Sequence, residues 1–190
     1  IKKGTAQGLV KANILKIDKE FVRDMLVDPD DLAILEGVLK LAETFQRKAI
    51  AEGVETLEHG SLLLQLGCEQ AQGNYIAKPM PAEKIPAWIQ QWEIPQDWKR
   101  IKSFVQDERM LIYAATDYRA WILRIERFIE GSSESLPPME ATAYRFGIWL
   151  NGKGRQLYGS LESFQKIIPL QQEVHRLAYH LVKLTQAGKR

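Results

Sequence analysis

Three short apolar runs in the first half of the chain each end in a polar or charged side chain, and this pattern restricts the fold more than any other feature. The runs end at Lys16, Glu52 and Gln72. Each interval between these residues is long enough for a helix and a return to the sheet, which is how a parallel barrel gathers catalytic groups at one rim. The spacing therefore predicts that the three side chains meet at one edge of a parallel sheet.

The first half of the chain alternates between strand-like and helix-like patterns. Successive β-α units imply parallel strands joined by right-handed crossovers. We predict strands over residues 12–18, 48–52 and 69–75, and helices over 21–45 (with a turn at 28–31), 57–66 and 81–92. The pattern predicts an α/β domain over residues 1–93.

The character of the sequence changes at Glu93, and residues 94–107 are typical of a linker. In residues 108–190 the apolar positions recur at helical spacing, with no strand-like pattern. We predict four helices, over residues 110–129, 139–150, 161–168 and from Pro169 onward. Apolar stripes and short loops favour an antiparallel four-helix bundle. The predicted fold class is α/β followed by all-α.

Composition restricts the class of protein. A net charge of +2 over 190 residues is too small to favour a nucleic acid polymer or an anionic membrane as the main partner. Cys68 has no second cysteine to pair with, which favours a reducing compartment. The apolar stretches are shorter than the roughly 20 residues that a membrane helix needs. Because the sequence begins with Ile1 rather than Met, we expect it to start inside a longer protein.

The polar residues of the first half each allow more than one interpretation. Lys16 and Asp18 are two apart on a strand and share a face, so either they form a structural ion pair or Lys16 contacts a phosphate or an attacking water. Glu52 acts as a general base, holds a metal-bound water, or caps the following helix. Gln72 hydrogen-bonds a ligand or is a buried glutamine satisfied by the backbone. Glu55 lies in a loop, which we expect it to organise.

Three motifs carry a resemblance to a known family. They are Leu15-Lys16-Ile17-Asp18, Ala51-Glu52-Gly53-Val54-Glu55-Thr56 and Leu66-Gly67-Cys68-Glu69-Gln70-Ala71-Gln72-Gly73-Asn74-Tyr75. With them, residues 12–92 resemble the C-terminal half of the EAL domain, a bacterial cyclic di-GMP phosphodiesterase. The resemblance implies the last strands and helices of a TIM-like (β/α) barrel. It also implies hydrolysis of cyclic di-GMP to linear pGpG with two divalent ions, Mg²⁺ or Mn²⁺.

The same resemblance implies a role for each polar residue of the motifs. Lys16 would sit beside the catalytic water, and Glu52 would be the base-like carboxylate near the metals. Gln72 would line the substrate site. Glu55 would tether the flexible loop that precedes the Lys16 strand.

The sequence departs from that family in the part that supplies the metal ligands. No Glu-Ala-Leu tripeptide occurs in the chain, and residues 1–11 contain no Asp. The family's Asn, Glu and paired Asp ligands are also absent, and residues 4–10 resemble the tail of the missing loop or an altered version of it. We therefore expect no metal ligand set in this chain and no hydrolysis by the chain alone. A few strands also leave an open sheet edge, which favours a homodimer.

The second half resembles the chemoreceptor zinc-binding domain, a four-helix bundle of bacterial signalling proteins. Asp117 with Trp121, Gly147-Ile148-Trp149 and Val174-His175-Arg176-Leu177-Ala178 carry this resemblance. The family binds zinc through three His and one Cys. The corresponding positions in this chain are Tyr118, Tyr144, Gln171 and His175. Only one ligand remains, so we do not expect zinc and instead predict a buried hydrogen-bond network among these four residues.

Two functions are consistent with these patterns. The first is the C-terminal portion of a bacterial cyclic di-GMP phosphodiesterase, located in the cytoplasm, with further signalling domains upstream and a regulatory, sensor-like bundle. The alternative is a non-catalytic signalling module that binds cyclic di-GMP or a protein partner. If the half-barrel is instead a complete protein, its open edge predicts dimerisation or aggregation.

Overall fold

The computed structural model describes residues 13–104 and 108–188. The chain forms two compact units, residues 1–105 and 106–190, and each is described by itself. The predicted loop tail at residues 4–10 lies outside the described residues. Across the described ranges, no helix combines the length and the apolar character needed to span a membrane.

The first unit is built on a parallel sheet of three strands, which confirms the predicted strand direction. The strands are β1 (Ile14–Ile17), β2 (Lys48–Glu52) and β3 (Ala71–Gln72), in the order β1-β2-β3. Lys16 lies opposite Ile50, and Glu52 lies opposite Gln72. β3 is shorter than predicted because the chain turns away after Gln72. This mixed α/β arrangement is consistent with part of a TIM-like barrel.

Five α-helices and a short 3₁₀ helix (Ala82–Lys84) accompany this sheet in residues 13–104. The α-helices are α1 (Lys19–Asp24), α2 (Pro29–Thr44), α3 (Leu57–Gln65), α4 (Ile85–Gln91) and α5 (Gln96–Arg100). The first three begin at side chains that accept a backbone hydrogen bond from the first turn: Asp18, Asp28 and Thr56. Such caps satisfy amides that the helix leaves unpaired.

The apolar core of the first unit determines which side chains remain for chemistry. Ile17 of β1 lies opposite Ala51 of β2, and both are almost fully buried. Further core residues come from the helices: Val22, Met25, Leu32, Leu35, Leu62 and Leu63. Since side chains alternate along a strand, Lys16 and Glu52 must point to the face opposite this core.

The segment that we predicted to be a linker, residues 94–107, contains a helix. Helix α5 occupies Gln96–Arg100, and the indole of Trp98 donates a hydrogen bond to the Leu57 carbonyl at 3.0 Å. The interpretation as a linker overlooked this half-buried aromatic side chain, which attaches the segment to α3. The exact domain boundaries that we predicted stay predictions.

The second unit contains two long and two short helices among residues 108–188. They are α6 (Arg109–Ile129), α7 (Arg145–Asn151), α8 (Lys153–Tyr158) and α9 (Glu162–Gln186). Two apolar clusters join them, one of Ala114, Phe146, Trp149, Leu150 and Phe164, the other of Trp121, Ile125, Ala178 and Val182. The antiparallel four-helix bundle stays a prediction.

Two predicted helix boundaries in this unit were wrong. The helix predicted over 139–150 begins only at Arg145, and a short 3₁₀ helix (Ala141–Ala143) precedes it. The carbonyls of Pro138 and Met139 accept side-chain hydrogen bonds from Trp121, Tyr144 and His175. The predicted break at Pro169 is absent, and α9 continues through it. Burial of apolar residues on both sides of this proline offsets the helical hydrogen bond that it cannot donate.

Replacing Pro169 by Ala should raise the free energy of unfolding by about 1 to 3 kcal/mol, because Ala restores the missing amide donor and removes the ring clash. Pro169 is exposed, so the substitution sacrifices no burial. Urea denaturation of the two proteins measures the difference. Gln172→Ala, at another exposed position of α9, is the control and should change stability by less than about 0.5 kcal/mol. A Pro169→Ala protein that is less stable than the original would contradict the explanation.

Candidate active site

The three polar side chains that end the apolar runs come together in the structure. Lys16 forms an ion pair with Glu52 through Nζ and Oε1. Gln72 donates a hydrogen bond from Nε2 to the same Oε1 at 3.2 Å. The Lys16 side chain is 61% exposed and that of Glu52 is 23% exposed. We call Lys16, Glu52 and Gln72 the polar cluster.

Strand register explains why the polar cluster forms. Glu52 lies directly opposite Gln72 on β3, and it lies two residues beyond Ile50, the partner of Lys16 on β1. Positions two apart share a face, so Lys16 reaches Glu52 diagonally across the ladder. The cluster therefore lies at the carboxyl ends of the strands, where open parallel sheets bind ligands.

Gln72 is exposed and bonds to Glu52, so its interpretation as a buried glutamine satisfied by the backbone was wrong. Two alternative interpretations of Lys16 and Glu52 were wrong as well. Lys16 pairs with Glu52, whereas Asp18 caps α1 by accepting a hydrogen bond from the Glu20 amide at 3.0 Å. Glu52 does not cap the following helix, because Thr56 does so by accepting from the His59 amide at 3.2 Å. Both alternatives assigned a structural role to a residue of the cluster, and other side chains fill those roles.

Two glycines hold the loops that follow β2 and β3 in close contact. Gly53 has a φ of 76°, a conformation that favours glycine. Gly73 lies so close to the Val54 backbone that a Cβ there would overlap it. The Val54 amide donates to the Gln72 carbonyl at 3.1 Å, and the Tyr75 amide donates to the Val54 carbonyl at 3.0 Å. These bonds extend the sheet beyond Glu52 and restrict how far the cluster can separate.

Glu55 and His59 lie beside the cluster in the loop and first turn after β2. The Glu55 amide donates to Nδ1 of the buried His59 at 3.4 Å, and the His59 ring also hydrogen-bonds the Arg23 backbone. An amide only donates, so Nδ1 must be the accepting nitrogen and the ring proton sits on Nε2. The loop that Glu55 was expected to tether lies outside the described residues.

Sequence reasoning missed His59, which connects α3 to α1. Burial lowers the pKa of His59 from its ordinary value of 6.5, and this effect exceeds the opposing effect of Glu55. The ring is therefore neutral at neutral pH. A histidine in the first turn after a Thr cap was the only available signal, and it does not indicate burial.

The polar cluster offers an ammonium, a carboxylate and an amide to a ligand. Exposed ion pairs contribute about 0 to 1 kcal/mol to stability, so the fold does not depend strongly on the bond between Lys16 and Glu52. A group of this composition can bind a phosphate oxygen and accept a proton from a water.

The residues that the structure describes do not provide a site for two divalent metal ions. Within residues 13–104 and 108–188, no group of three or more His, Cys, Asp or Glu side chains is arranged to hold a metal. Glu52 already pairs with Lys16. Divalent Mg²⁺ or Mn²⁺ prefers several oxygen ligands, so the polar cluster alone does not fit such ions.

In the second unit, two of the four residues aligned with zinc ligands bond to each other. His175 Nδ1 lies 2.8 Å from the Met139 carbonyl, and the Tyr118 hydroxyl lies 3.1 Å from His175 Nε2. A carbonyl only accepts, so Nδ1 carries the proton and Tyr118 donates to Nε2. Burial raises the pKa of Tyr118, against a smaller opposing effect of Gln171, and this keeps the hydroxyl protonated.

Tyr144 does not join this pair by a hydrogen bond, whereas the Gln171 side chain hydrogen-bonds the Tyr118 hydroxyl. Tyr144 donates to the Pro138 carbonyl at 2.7 Å, although its ring lies 6.4 Å from the His175 ring. Gln171 is buried, and its Nε2 has no hydrogen-bond partner among the described residues. The predicted network therefore joins Tyr118 to His175 and to Gln171 but leaves out Tyr144. A Tyr, Tyr, Gln and His set does not match the ligands that zinc prefers.

Comparison with known protein families gives a match in the first half of the chain. Residues 8–79 match the EAL domain family. We call residues 8–79 the EAL segment. The match confirms the resemblance proposed for the first half of the chain. The resemblance of the second half to the chemoreceptor zinc-binding domain stays a prediction.

Curated relatives are similar to this chain over 69 to 78 residues. The bifunctional diguanylate cyclase/cyclic di-GMP phosphodiesterase MucR of Pseudomonas aeruginosa is 42% identical over 78 residues, which cover 41% of this chain and 11% of MucR. The oxygen sensor protein DosP of Escherichia coli is 39% identical over 40% of this chain and 9% of DosP. The cyclic di-GMP phosphodiesterase RocR of Pseudomonas aeruginosa is 38% identical over 36% of this chain and 18% of RocR. The chain thus spans less than a fifth of the length of these relatives.

A solved structure, the PaMucR phosphodiesterase in a c-di-GMP complex, is also similar to part of this chain in sequence. It is 41% identical, with 40% of this chain and 31% of that chain covered, and the TM-score is 0.39.

The depressed pKa of His59 predicts a stability that declines in acid. The unfolded chain binds this proton near pH 6.5 and the folded chain only at lower pH. The contribution of His59 to the free energy of unfolding should therefore be fully present above about pH 6.5 and should decrease as the pH falls below that value. The decrease is at most about 1.4 kcal/mol per pH unit for one proton. The Glu55, Glu58 and Asp24 carboxylates near the ring oppose the shift but do not reverse it.

Urea denaturation between pH 5 and pH 7.5 tests this decline. A His59→Gln variant, which cannot titrate, should lose the part of the pH dependence that His59 contributes. His180→Gln removes an exposed histidine on α9 and should leave the pH dependence unchanged. Equal pH profiles for the wild type and His59→Gln would contradict the assignment.

Proposed function

We propose that the first unit contributes the polar cluster to the substrate site of an EAL-type cyclic di-GMP phosphodiesterase. The observation that carries the proposal is the meeting of Lys16, Glu52 and Gln72 at the carboxyl ends of three adjacent parallel strands. Relatives that are 38 to 42% identical to this segment include proteins named as cyclic di-GMP phosphodiesterases.

The geometry suggests a role for each member of the cluster. In a parent protein that hydrolyses the ligand, the ammonium of Lys16 would bind a phosphate oxygen or the attacking water, and the Glu52 carboxylate would accept a proton from that water as it attacks phosphorus. The water oxygen would form a new bond to phosphorus, the bond from phosphorus to the 3′ oxygen would break, and that oxygen would take up a proton from solvent, so that the product would be linear pGpG. Gln72 holds Glu52 in place and presents its amide to the ligand. Glu55 organises the loop between β2 and α3.

Mg²⁺ or Mn²⁺ would assist hydrolysis in an intact enzyme, but the described residues do not fit such ions. We therefore propose that this chain binds cyclic di-GMP without hydrolysing it. Hydrolysis would require the metal ligands of a longer parent protein. We propose that this parent protein is located in the bacterial cytoplasm and carries further signalling domains. The alternative is a non-catalytic cyclic di-GMP-binding or protein-interaction module, in which the longer parent protein would lack the metal ligands as well.

We propose a regulatory role for the second unit, as a bundle of the chemoreceptor zinc-binding type in which the bond between Tyr118 and His175 replaces a zinc ion.

The surface of α9 supports a homodimer through this unit. Four apolar side chains are exposed there at alternating spacings of four and three residues: Leu170, Val174, Leu177 and Leu181. This spacing is typical of a coiled-coil seam, and a second copy of the chain supplies an identical seam.

Titration with cyclic di-GMP tests the proposed site. Calorimetry should detect binding by the wild-type chain, and product analysis with Mg²⁺ or Mn²⁺ should detect no pGpG. Lys16→Ala should weaken binding by about tenfold or more, because it removes a charged hydrogen-bond donor to phosphate. Lys40→Ala is the matched control, since Lys40 is an exposed lysine that pairs with Glu43 on α2.

Each outcome of that titration has a distinct meaning. Formation of pGpG by this chain would contradict the proposal that it binds without hydrolysis. Absence of binding, or equal weakening by Lys16→Ala and Lys40→Ala, would contradict the assignment of the polar cluster to the ligand. Product formation by a longer parent protein that carries the missing ligands would favour the enzyme over the non-catalytic module.

The dimer proposal predicts that the wild-type chain has twice the chain mass in light scattering. Leu177→Glu should produce a monomer, because it places a charge in the centre of the apolar seam. Leu157→Glu is the matched control, since Leu157 is 49% exposed on α8 and Leu177 is 47% exposed. A monomeric wild type would contradict the dimer proposal. A dimer that Leu157→Glu converts to a monomer and Leu177→Glu does not would also contradict it.

A further inference from the structure

Residues 95–104 run along α3 from its first residue to its last. The Trp98 indole donates to the carbonyl of Leu57, where α3 begins, and the Phe104 amide donates at 2.8 Å to the carbonyl of Gln65, where α3 ends. We call residues 95–104 the strap. The strap lies beyond residues 8–79, which match the EAL domain family.

The Trp98 ring packs against the backbone of α3 at Gly60, and we call this contact position the seat. A Cβ at Gly60 would overlap the six-membered ring of Trp98, so the indole lies directly on the α3 backbone. Gly60 is buried, and Gly within a helix costs about 1 kcal/mol relative to Ala. Gly60 therefore lowers the stability of α3, and the packing of the Trp98 ring against it offsets that loss.

Trp98 contacts both loops that flank the polar cluster. Its hydrogen bond goes to Leu57, at the end of the loop that follows Glu52. Its ring lies 5.5 Å from that of Tyr75, at the end of the turn that follows Gln72. The two loops are already joined through Val54. Trp98 is thus a second connection between them, supplied by a residue outside the sheet.

We propose that Trp98 is a positioning residue that fixes the loops after Glu52 and Gln72 and so maintains the geometry of the polar cluster. The strap leads directly into the second unit, whose first helix begins at Arg109. Withdrawal of Trp98 from its seat would loosen both loops together. Only the ligand part of this proposal rests on the proposed function.

Amide hydrogen exchange of the whole chain measures the loops without any ligand. Trp98→Ala should increase exchange at residues 53–57 and 73–76 by about fivefold or more, the change in open population expected when a hydrogen bond and its ring contacts are lost. Exchange in α2 should not change. Trp98→Phe keeps a ring on Gly60 but cannot donate to Leu57, so it should give a smaller increase.

The matched control is Trp92→Ala. Trp92 is also half-buried, but its ring pairs with Trp88 of α4 and lies outside the strap. This variant should leave exchange at residues 53–57 and 73–76 unchanged. An equal increase in Trp92→Ala, or a uniform increase throughout the first unit in Trp98→Ala and Trp98→Phe, would overturn the proposal.

A second substitution at the seat tests the contact itself. Gly60→Ala should expel Trp98 and increase exchange in both loops as much as Trp98→Ala does. In a protein that already carries Trp98→Ala, the Gly60→Ala change should have no further effect, because the ring that it displaces is gone. Additive effects of the two substitutions would contradict the proposed seat.

Binding of cyclic di-GMP separates this proposal from the proposed function. If the wild type binds, Trp98→Ala should weaken binding by at least about fivefold and Trp92→Ala should not. If the wild type does not bind, the proposed function fails, while the exchange experiment still decides whether Trp98 fixes the loops. Normal exchange in Trp98→Ala would overturn the positioning role whatever the result of the binding measurement.

Discussion

The pairing of β2 with its two parallel neighbours is the interaction on which the rest of the first unit depends. The register places Ile17 against Ala51 in the core, and the alternation of side chains then places Lys16 and Glu52 on the opposite face. A shift of one residue would bury the charged pair and expose the apolar one. Burial of the core therefore determines the register, and the register assembles the polar cluster.

The contacts around the cluster restrict its movement without burying it. Gly53 and Gly73 allow the backbones after β2 and β3 to approach closely, and His59 connects the beginning of α3 to α1. Trp98 adds a connection from the strap. The side chains of Lys16 and Glu52 meanwhile remain accessible to solvent. Rigid support beneath exposed polar groups is the arrangement that ligand binding requires.

The parts of this structure that could be predicted from sequence are those that depend on local pattern. Apolar runs ending in Lys16, Glu52 and Gln72 predicted three parallel strands and a shared edge, and both are present. The length of α9 could not be predicted from Pro169, because packing on both sides of the proline outweighs its local preference. Residues that act over long sequence distances, such as Trp98 on Leu57 and Gly60, gave no local signal.

The most direct test of the central claim is a nuclear magnetic resonance titration of this chain with cyclic di-GMP in the absence of divalent metal ions. If the polar cluster is part of the ligand site, the side-chain amide signals of Gln72 and the backbone amide signals of Val54 and Gly73 should shift together, with one dissociation constant. Signals from residues 108–188 should not follow that curve. A titration in which the Gln72 signals do not move, or in which the shifts are confined to residues 108–188, would contradict the claim.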